Sequence, residues 1–508
     1  MQHLQRILFL PMLGCLILAC TSQSATQQES NETLVEKPNI VFILVDDLGY
    51  GDIGCFGQEK IQTPHIDRLG REGIRFTEAY AGSAVCAPTR STLMQGLHSG
   101  HARVRGNGYK DYREALREGD YTVAMMLQEA GYQTGLFGKW GLGLHNQYGI
   151  PNKMGIDEFF GYLNQRHAHC HYPEFLYHNE ERVYFPENGT HHRIENYGGE
   201  QTYDENGICQ PMGIDDPSRA KYAFDVYSAQ SLEFVQSNKD NPFFLYLAYT
   251  PPHGSYIVPE LGDYANKDWS QSHKVYAAMI TRVDSEIGKL MQLLEELDID
   301  ENTLVLFASD NGNTRGNAKE GEIPTSVFFN NESPRAGMKG DIRDGAFHVP
   351  AIARWPNHIQ PAQESDHKWA MWDFMPTVAE LIGVALPENM DGISILPTLL
   401  GETEKQRKHD FLYWEFNEEQ AVRSANWYGY KNKKGELEIY DLEKNPDQDR
   451  DLTAELPDMA KKIDEIMKRE HTPSDVWPSP GETEEAFKQR MAQLGITAKD
   501  RPLNVADF

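Results

Sequence analysis

A chain of 508 residues that is 40% hydrophobic and 24% charged has the composition of a globular protein and is too long for one ordinary core. Its formal net charge of −28 excludes nucleic acid and an anionic membrane surface as partners of the fold, because both would be repelled. An anionic substrate could be held only where local cations or a metal overcome that field.

Taken in order, the chain opens on a leader. Arg6 precedes the apolar run Ile7 to Ala19, too short to span a bilayer and of the length of a secretory hydrophobic region. The run ends at Ile17-Leu18-Ala19-Cys20, which resembles a bacterial lipobox, so residues 1–20 read as a lipoprotein-type signal peptide with Cys20 as the lipid anchor, ordinary cleavage to a free secreted protein being the alternative. Residues 21–36 are polar and poor in core formers, a flexible tether. The expected location is therefore export to a bacterial periplasm or outer membrane. Of the six cysteines, Cys15 and Cys20 belong to the leader. With Cys86 set aside for the site, Cys55, Cys170 and Cys209 allow at most one disulfide.

Ile40 to Val45 is an unbroken apolar run, as a strand buried on both faces needs, and it ends in Asp46-Asp47. Thr63-Pro64 open a helix through Leu69. Cys86, Pro88 and Arg90 stand at the entrance to a short helix closed by Gly96, and such an entrance offers free N–H groups to an anion. Asp120 is the expected cap of a helix carrying Val123, Met126 and Leu127. Gln133 to Phe137 is a strand running into Gly138-Lys139-Trp140. Residues 148–217, rich in Tyr, His, Asn and Gly with little periodicity, read as a long insertion over the site.

A helix over Tyr222 to Ser237 is followed by the strand Phe243 to Ala248 and then Pro252-His253. A long amphipathic helix covers Ser272 to Leu297, and the apolar run Leu304 to Ala308 ends in Ser309-Asp310-Asn311. Gly337-Met338-Lys339-Gly340 leads to a strand over Val349 to Ala353, and Met371 to Ile382 is helical. Past Leu400 come four short β-like pieces, then charged helices. The expected fold is α/β: a large mixed, mostly parallel sheet over 37–400 with helices on both faces, and a smaller C-terminal α+β subdomain over 401–508 with a short antiparallel sheet.

Four apolar strands thus deliver Asp46 and Asp47, Lys139, His253, and Asp310 with Asn311 just past their carboxyl ends, where open α/β sheets bind ligands. The carboxylates and the amide are hard oxygen donors suited to Ca²⁺ or Mg²⁺. Arg90, Lys139, Lys339 and His253 are the donors for an anion beside that metal.

Cys86-Ala87-Pro88-Thr89-Arg90 resembles the Cys-x-Pro-x-Arg motif of type I sulfatases of the alkaline phosphatase superfamily, and Gly131 to Thr134 running into Gly138-Lys139-Trp140 resembles their second motif. Asn39 to Asp47, Pro252-His253, Asp310-Asn311-Gly312, Gly337-Met338-Lys339 and Asp344-Gly345 fall in the family's order, over about residues 38–440.

The resemblance implies a sulfatase whose Cys86 is oxidised to Cα-formylglycine by a separate formylglycine-generating or anaerobic sulfatase-maturating enzyme, its hydrate being the nucleophile. It implies calcium on Asp46, Asp47, Asp310 and Asn311. Arg90 would stabilise the hydrate, Lys139 and Lys339 would bind sulfate oxygens, and His253 would act as acid at the leaving oxygen. Three residues depart from the family pattern: Gly141 stands where many relatives carry a nucleophile-bonding His, with His145 the candidate replacement; Gln95 is unusual in the first motif; and Asp344 replaces Glu.

The resemblance further implies a carbohydrate sulfatase of polysaccharide-degrading bacteria acting on a sulfated glycan of galactose or N-acetylgalactosamine type. Arg166, His167, His169 and Glu415 are the candidate sugar contacts. The alternating histidines, read as one extended face, are assigned to sugar or solvent and not to zinc. The rival functions are a formylglycine-dependent phosphonate or phosphodiester hydrolase and a non-catalytic, calcium-dependent glycan-binding lipoprotein.

Overall fold

The run at Ile40 becomes the strand Asn39–Asp46, buried along its whole length. Ile40, Phe42 and Leu44 enter one hydrophobic cluster, while Val41, Ile43 and Val45 enter a second on the opposite face. That alternation explains why the sequence shows no polar phase. The computed structural model describes residues 37–108, 113–189, 202–211, 214, 216–316, 321–474, 476–478 and 482–494. The leader, Cys20 and the tether lie outside them. Among the described residues no helix is long and apolar enough to cross a membrane.

The main sheet has ten strands, ordered by their first residues as Gln363, Ile74, Ala351, Thr303, Asn39, Phe243, Gln133, Glu158, Phe175 and Glu181. The central five, from Thr303 to Glu158, run parallel. On either flank the next two strands pair antiparallel, and beyond them the outermost strand Gln363–Ser365 runs parallel to Ile74–Phe76. The helices Cys86–Gln95, Val123–Glu129 and Phe374–Ile382 cover one face; Pro64–Glu72, Ala223–Asn238 and Gln271–Glu296 cover the other.

The four short pieces after residue 400 form the separate antiparallel sheet Leu412–Phe416, Glu419–Ser424, Trp427–Lys431 and Leu437–Asp441. It is joined to the main body by Trp414, which stacks on Phe347 at 4.6 Å and meets Tyr80 and Trp372. It is also joined by Arg423, whose guanidinium donates to buried Asp344 at 2.8 Å. The departure at Asp344 therefore lies on a structural ion pair.

Two expectations are corrected. Residues 148–217 are not one irregular insertion: Glu158–Tyr162, Phe175–His178 and Glu181–Tyr184 extend the main sheet. These strands are short and their His and Gly residues dilute the apolar signal. Asp120 does not cap the next helix; its carboxylate takes Arg103 and the Arg117 N–H, and Thr122 Oγ1 accepts from Met125 N at 3.1 Å. Cys55, Cys170 and Cys209 are separate thiols, within the expected limit of at most one disulfide.

Candidate active site

The strands Thr303–Ser309, Asn39–Asp46, Phe243–Pro252 and Gln133–Lys139 lie side by side and parallel, so their carboxyl ends share one edge. Asp46 ends its strand, and Asp47 turns off it with φ +64° while its N–H donates to Asp310 Oδ1 at 3.2 Å. Gly138 sits where a Cβ would lie 2.1 Å from the Ala248 carbonyl, so only glycine allows the pairing that brings Lys139 to this edge.

Cys86 begins the helix Cys86–Gln95, which Gly96 closes in the left-handed conformation. Ligand atoms of Cys86, Asp46 and His253 lie within 4.8 Å of one another. Arg90, one turn on from Cys86, is fully buried and donates to Lys139 O at 2.6 Å and Asp310 Oδ2 at 3.0 Å. The Lys339 loop is tied to the same centre: Lys339 N donates to Asn313 O and Gly340 N to Ala84 O. Gln95 accepts from Ser91 Oγ and Arg103 N, which fixes the chain returning toward Asn107.

Charges at this edge are matched in pairs. Lys139 Nζ is 2.5 Å from Asp46 Oδ2, and Lys339 Nζ is 2.7 Å from Asp47 Oδ2. Burial alone would raise the Asp46 pKa, but Lys139, His253 and Arg90 hold the carboxylate well below its usual range. Burial disfavours both ammonium groups, yet Asp46 beside Lys139 and Asp47 beside Lys339 raise their pKa values. Burial and then the Asp46 charge push Asp310 up to about 7. His253 is driven well below its ordinary value by burial and then by Lys339. Its Nδ1 donates to Gly254 O at 2.5 Å, which leaves Nε2 facing Asp47 Oδ2 at 3.6 Å.

Two buried oxygens here, Asp46 Oδ1 and Asn311 Oδ1, have no hydrogen-bond donor among the described residues. Oxygens of Asp46, Asp47 and Asp310 also lie within 4.8 Å of one another. An all-oxygen set with unsatisfied lone pairs fits a hard divalent cation. Among the described residues the hydrogen-bond contacts of the Cys86 sulfur are all long, to the amides of Asn107 and Gln165 at 3.6–3.9 Å. Neither amide was singled out from the sequence.

The expected sugar contacts separate. His169 packs its ring on His253 at 4.3 Å, and Arg166 is partly exposed two residues from Asn164, whose Oδ1 takes its N–H. His167 is fully buried between Tyr162 and Phe175, out of reach of a sugar. The segment forms a 3-10 turn over His167–His169 and not one extended face. Glu415 is buried too, with its oxygens taken by Arg105, Tyr413 and His471. It lines a cavity with Phe416, Gln420, Met467 and Trp477. His145 is exposed and stacks on Tyr177, so it does not replace the residue missing at Gly141.

The Sulfatase family model matches residues 38–384, and the model described as N-sulphoglucosamine sulphohydrolase, C-terminal, matches residues 339–472. The chain is 28% identical over 456 residues to the steryl-sulfatase of Homo sapiens, covering 79% of this chain and 75% of that one. It is 26% identical over 531 residues to the N-acetylgalactosamine-6-O-sulfatase of Bacteroides thetaiotaomicron, covering 92% and 99%. The crystal structure of Ps i-CgsB in complex with k-i-k-neocarrahexaose superposes with a TM-score of 0.72 at 25% identity, covering 90% of this chain and 98% of that one.

Proposed function

Because the chain belongs to the sulfatase family, a group of sulfuric ester hydrolases, we propose that it cleaves the sulfate ester of a sulfated carbohydrate of galactose or N-acetylgalactosamine type. The observation that carries this reading is the convergence of Cys86, Asp46 and His253 within 4.8 Å, backed by Lys139, Lys339 and Arg90. The sugar class is supported by the name of the bacterial relative that aligns over nearly its full length.

In this reading Cys86 is oxidised to formylglycine by a maturation enzyme, and the hydrated aldehyde supplies one hydroxyl to attack sulfur and a second whose proton is lost as sulfate leaves. Asp46, Asp47, Asp310 and Asn311 would hold calcium, which would supply positive charge to polarise the sulfate oxygens. The residues of the chain do the rest. Lys139 and Lys339, which pair with Asp46 and Asp47, carry the ammonium groups that would donate to sulfate oxygens once those carboxylates were engaged elsewhere. Arg90 donates to Asp310 Oδ2 at 3.0 Å and so orients that carboxyl toward the site. His253, fixed through Nδ1 on Gly254 O, presents Nε2 toward the substrate; the charge of a bound sulfate offsets the lysines that now disfavour its protonation. A proton on Nε2 can then pass to the departing sugar oxygen. His169, packed on His253, faces the sugar from the same side.

The test is a turnover panel on matured enzyme. Sulfate should be released from 6-sulfated N-acetylgalactosamine or sulfated galactose, with much weaker action on phosphate diesters and phosphonate esters. Comparable or better turnover of the phosphorus esters would replace this reading with the hydrolase alternative.

A further inference from the structure

Two amides flank the Cys86 sulfur, and they are not equivalent. Asn107 stands at the exposed mouth, where its Oδ1 takes the Ala87 N–H at 3.1 Å and its Nδ2 lies 3.6 Å from Sγ. Gln165 comes from the loop after the Glu158–Tyr162 strand and is 4% exposed. Its Oε1 is 3.8 Å from Sγ, and its Nε2 has no hydrogen-bond partner among the described residues. A buried amide N–H₂ without an acceptor is costly, so it marks a place that a further group completes. A thiol does not complete it, being one weak donor and a poor acceptor.

Gly141 shows how the amide reaches that place. It has φ +86°, and a Cβ there would lie 2.8 Å from Gln165 Nε2 and 3.0 Å from its Cγ. Backbone pairing of Gly141 N with Leu163 O at 3.1 Å holds the two segments together. Gln165 therefore fills the volume that a side chain at 141 would need.

We propose that Gln165 is a hydrogen-bond partner of the hydrated aldehyde at position 86, holding the hydroxyl on its side while Asn107 holds the other. This rests on the formylglycine reading above. On hydration a water oxygen bonds to the carbonyl carbon; one water proton goes to the former carbonyl oxygen and the other stays on the added oxygen. Two hydroxyls then stand where the sulfur stood. Each donates and accepts, which matches an amide oxygen with an amide N–H₂ on each side. An amide takes up no proton near neutral pH, so Gln165 orients the diol and is not its base.

The test compares wild type, Gln165→Leu, Gln165→Asn and Gln165→Glu, each produced with a formylglycine-generating enzyme. Mass spectrometry of denatured protein counts the aldehyde, and an aminooxy probe on folded protein measures how fast unhydrated carbonyl is captured. Wild type and all variants should carry the aldehyde. Gln165→Leu should be labelled faster by roughly three- to tenfold, the weight of one hydrogen bond, with kcat lowered and KM nearly unchanged. Gln165→Asn keeps the amide but sets it back, and should fall between; it also serves if the leucine variant does not fold. Gln165→Glu keeps acceptor oxygens in the same volume and should restore slow labelling. Equal labelling rates and equal kcat across aldehyde-bearing proteins would overturn the assignment. Absence of aldehyde from wild type would overturn the formylglycine reading and this assignment with it.

Discussion

Cys86→Ala is expected to abolish sulfate-ester hydrolysis, with kcat/KM falling by about 10⁴ or more, the scale seen when a nucleophile is removed. The fold should hardly notice. The side chain is 1% exposed, but its sulfur makes only weak contacts with Asn107 and Gln165, and the helix that carries it is closed by Gly96 and packed along its length. Loss of one sulfur atom should cost about 1 kcal/mol, the low end for a small core truncation. Cys86→Ser separates the diol from a simple hydroxyl: serine has one hydroxyl and cannot expel sulfate through a second. Steady-state kinetics with a thermal melt on both variants decides the matter. Hydrolysis retained by either variant near the wild-type rate would rule out residue 86 as nucleophile.

Removal of divalent cations should have the next largest effect. In the protein alone the carboxylates of Asp46, Asp47 and Asp310 are opposed by Arg90, Lys139 and Lys339, and both lysines are engaged with aspartates. Such a site is close to neutral and has little to offer an anion inside an acidic protein. In the proposed reading a dication would take over the carboxylates and leave the lysine donors for the substrate. Chelation should therefore lower kcat/KM by roughly 10²–10³, the loss typical of one preorganised electrostatic group. Calcium should restore activity, with magnesium less suited because it demands a rigid octahedron. The melting temperature should also rise with calcium concentration, since an ion bound only by the folded state stabilises it by mass action. Full activity after exhaustive chelation, with no metal in the protein by elemental analysis, would refute the metal assignment.

The parts of this site that were legible in the sequence share one physical reason. A strand buried on both faces must be an unbroken apolar run, so a polar residue at its end stands out, as at Asp46, Lys139, His253 and Asp310. Parallel order then places those ends together. Asn107 and Gln165 carry no such mark: a lone amide in a loop looks like a turn former, and only proximity in space separates it from one. Gly141, standing in place of an expected histidine two residues after Lys139, was the one hint that another segment fills that space. His167 and Glu415 were misread for the opposite reason. Both are polar residues near the site in sequence or in the expected topology, yet local packing with Tyr162 and Phe175, and ion pairing with Arg105, turn them inward.

The three strands between Glu158 and Tyr184 were hidden because their length is short and their pairing is set by the rest of the sheet. Thr122 took the capping role from Asp120 because Arg103 claims the aspartate. Neither competition can be seen along one dimension.

The most direct test of the account is mass spectrometry of the Cys86 peptide from protein purified from its native host. An aldehyde is expected in place of the thiol in the active fraction. An unmodified cysteine at position 86 in protein that hydrolyses sulfate esters at full rate would contradict it.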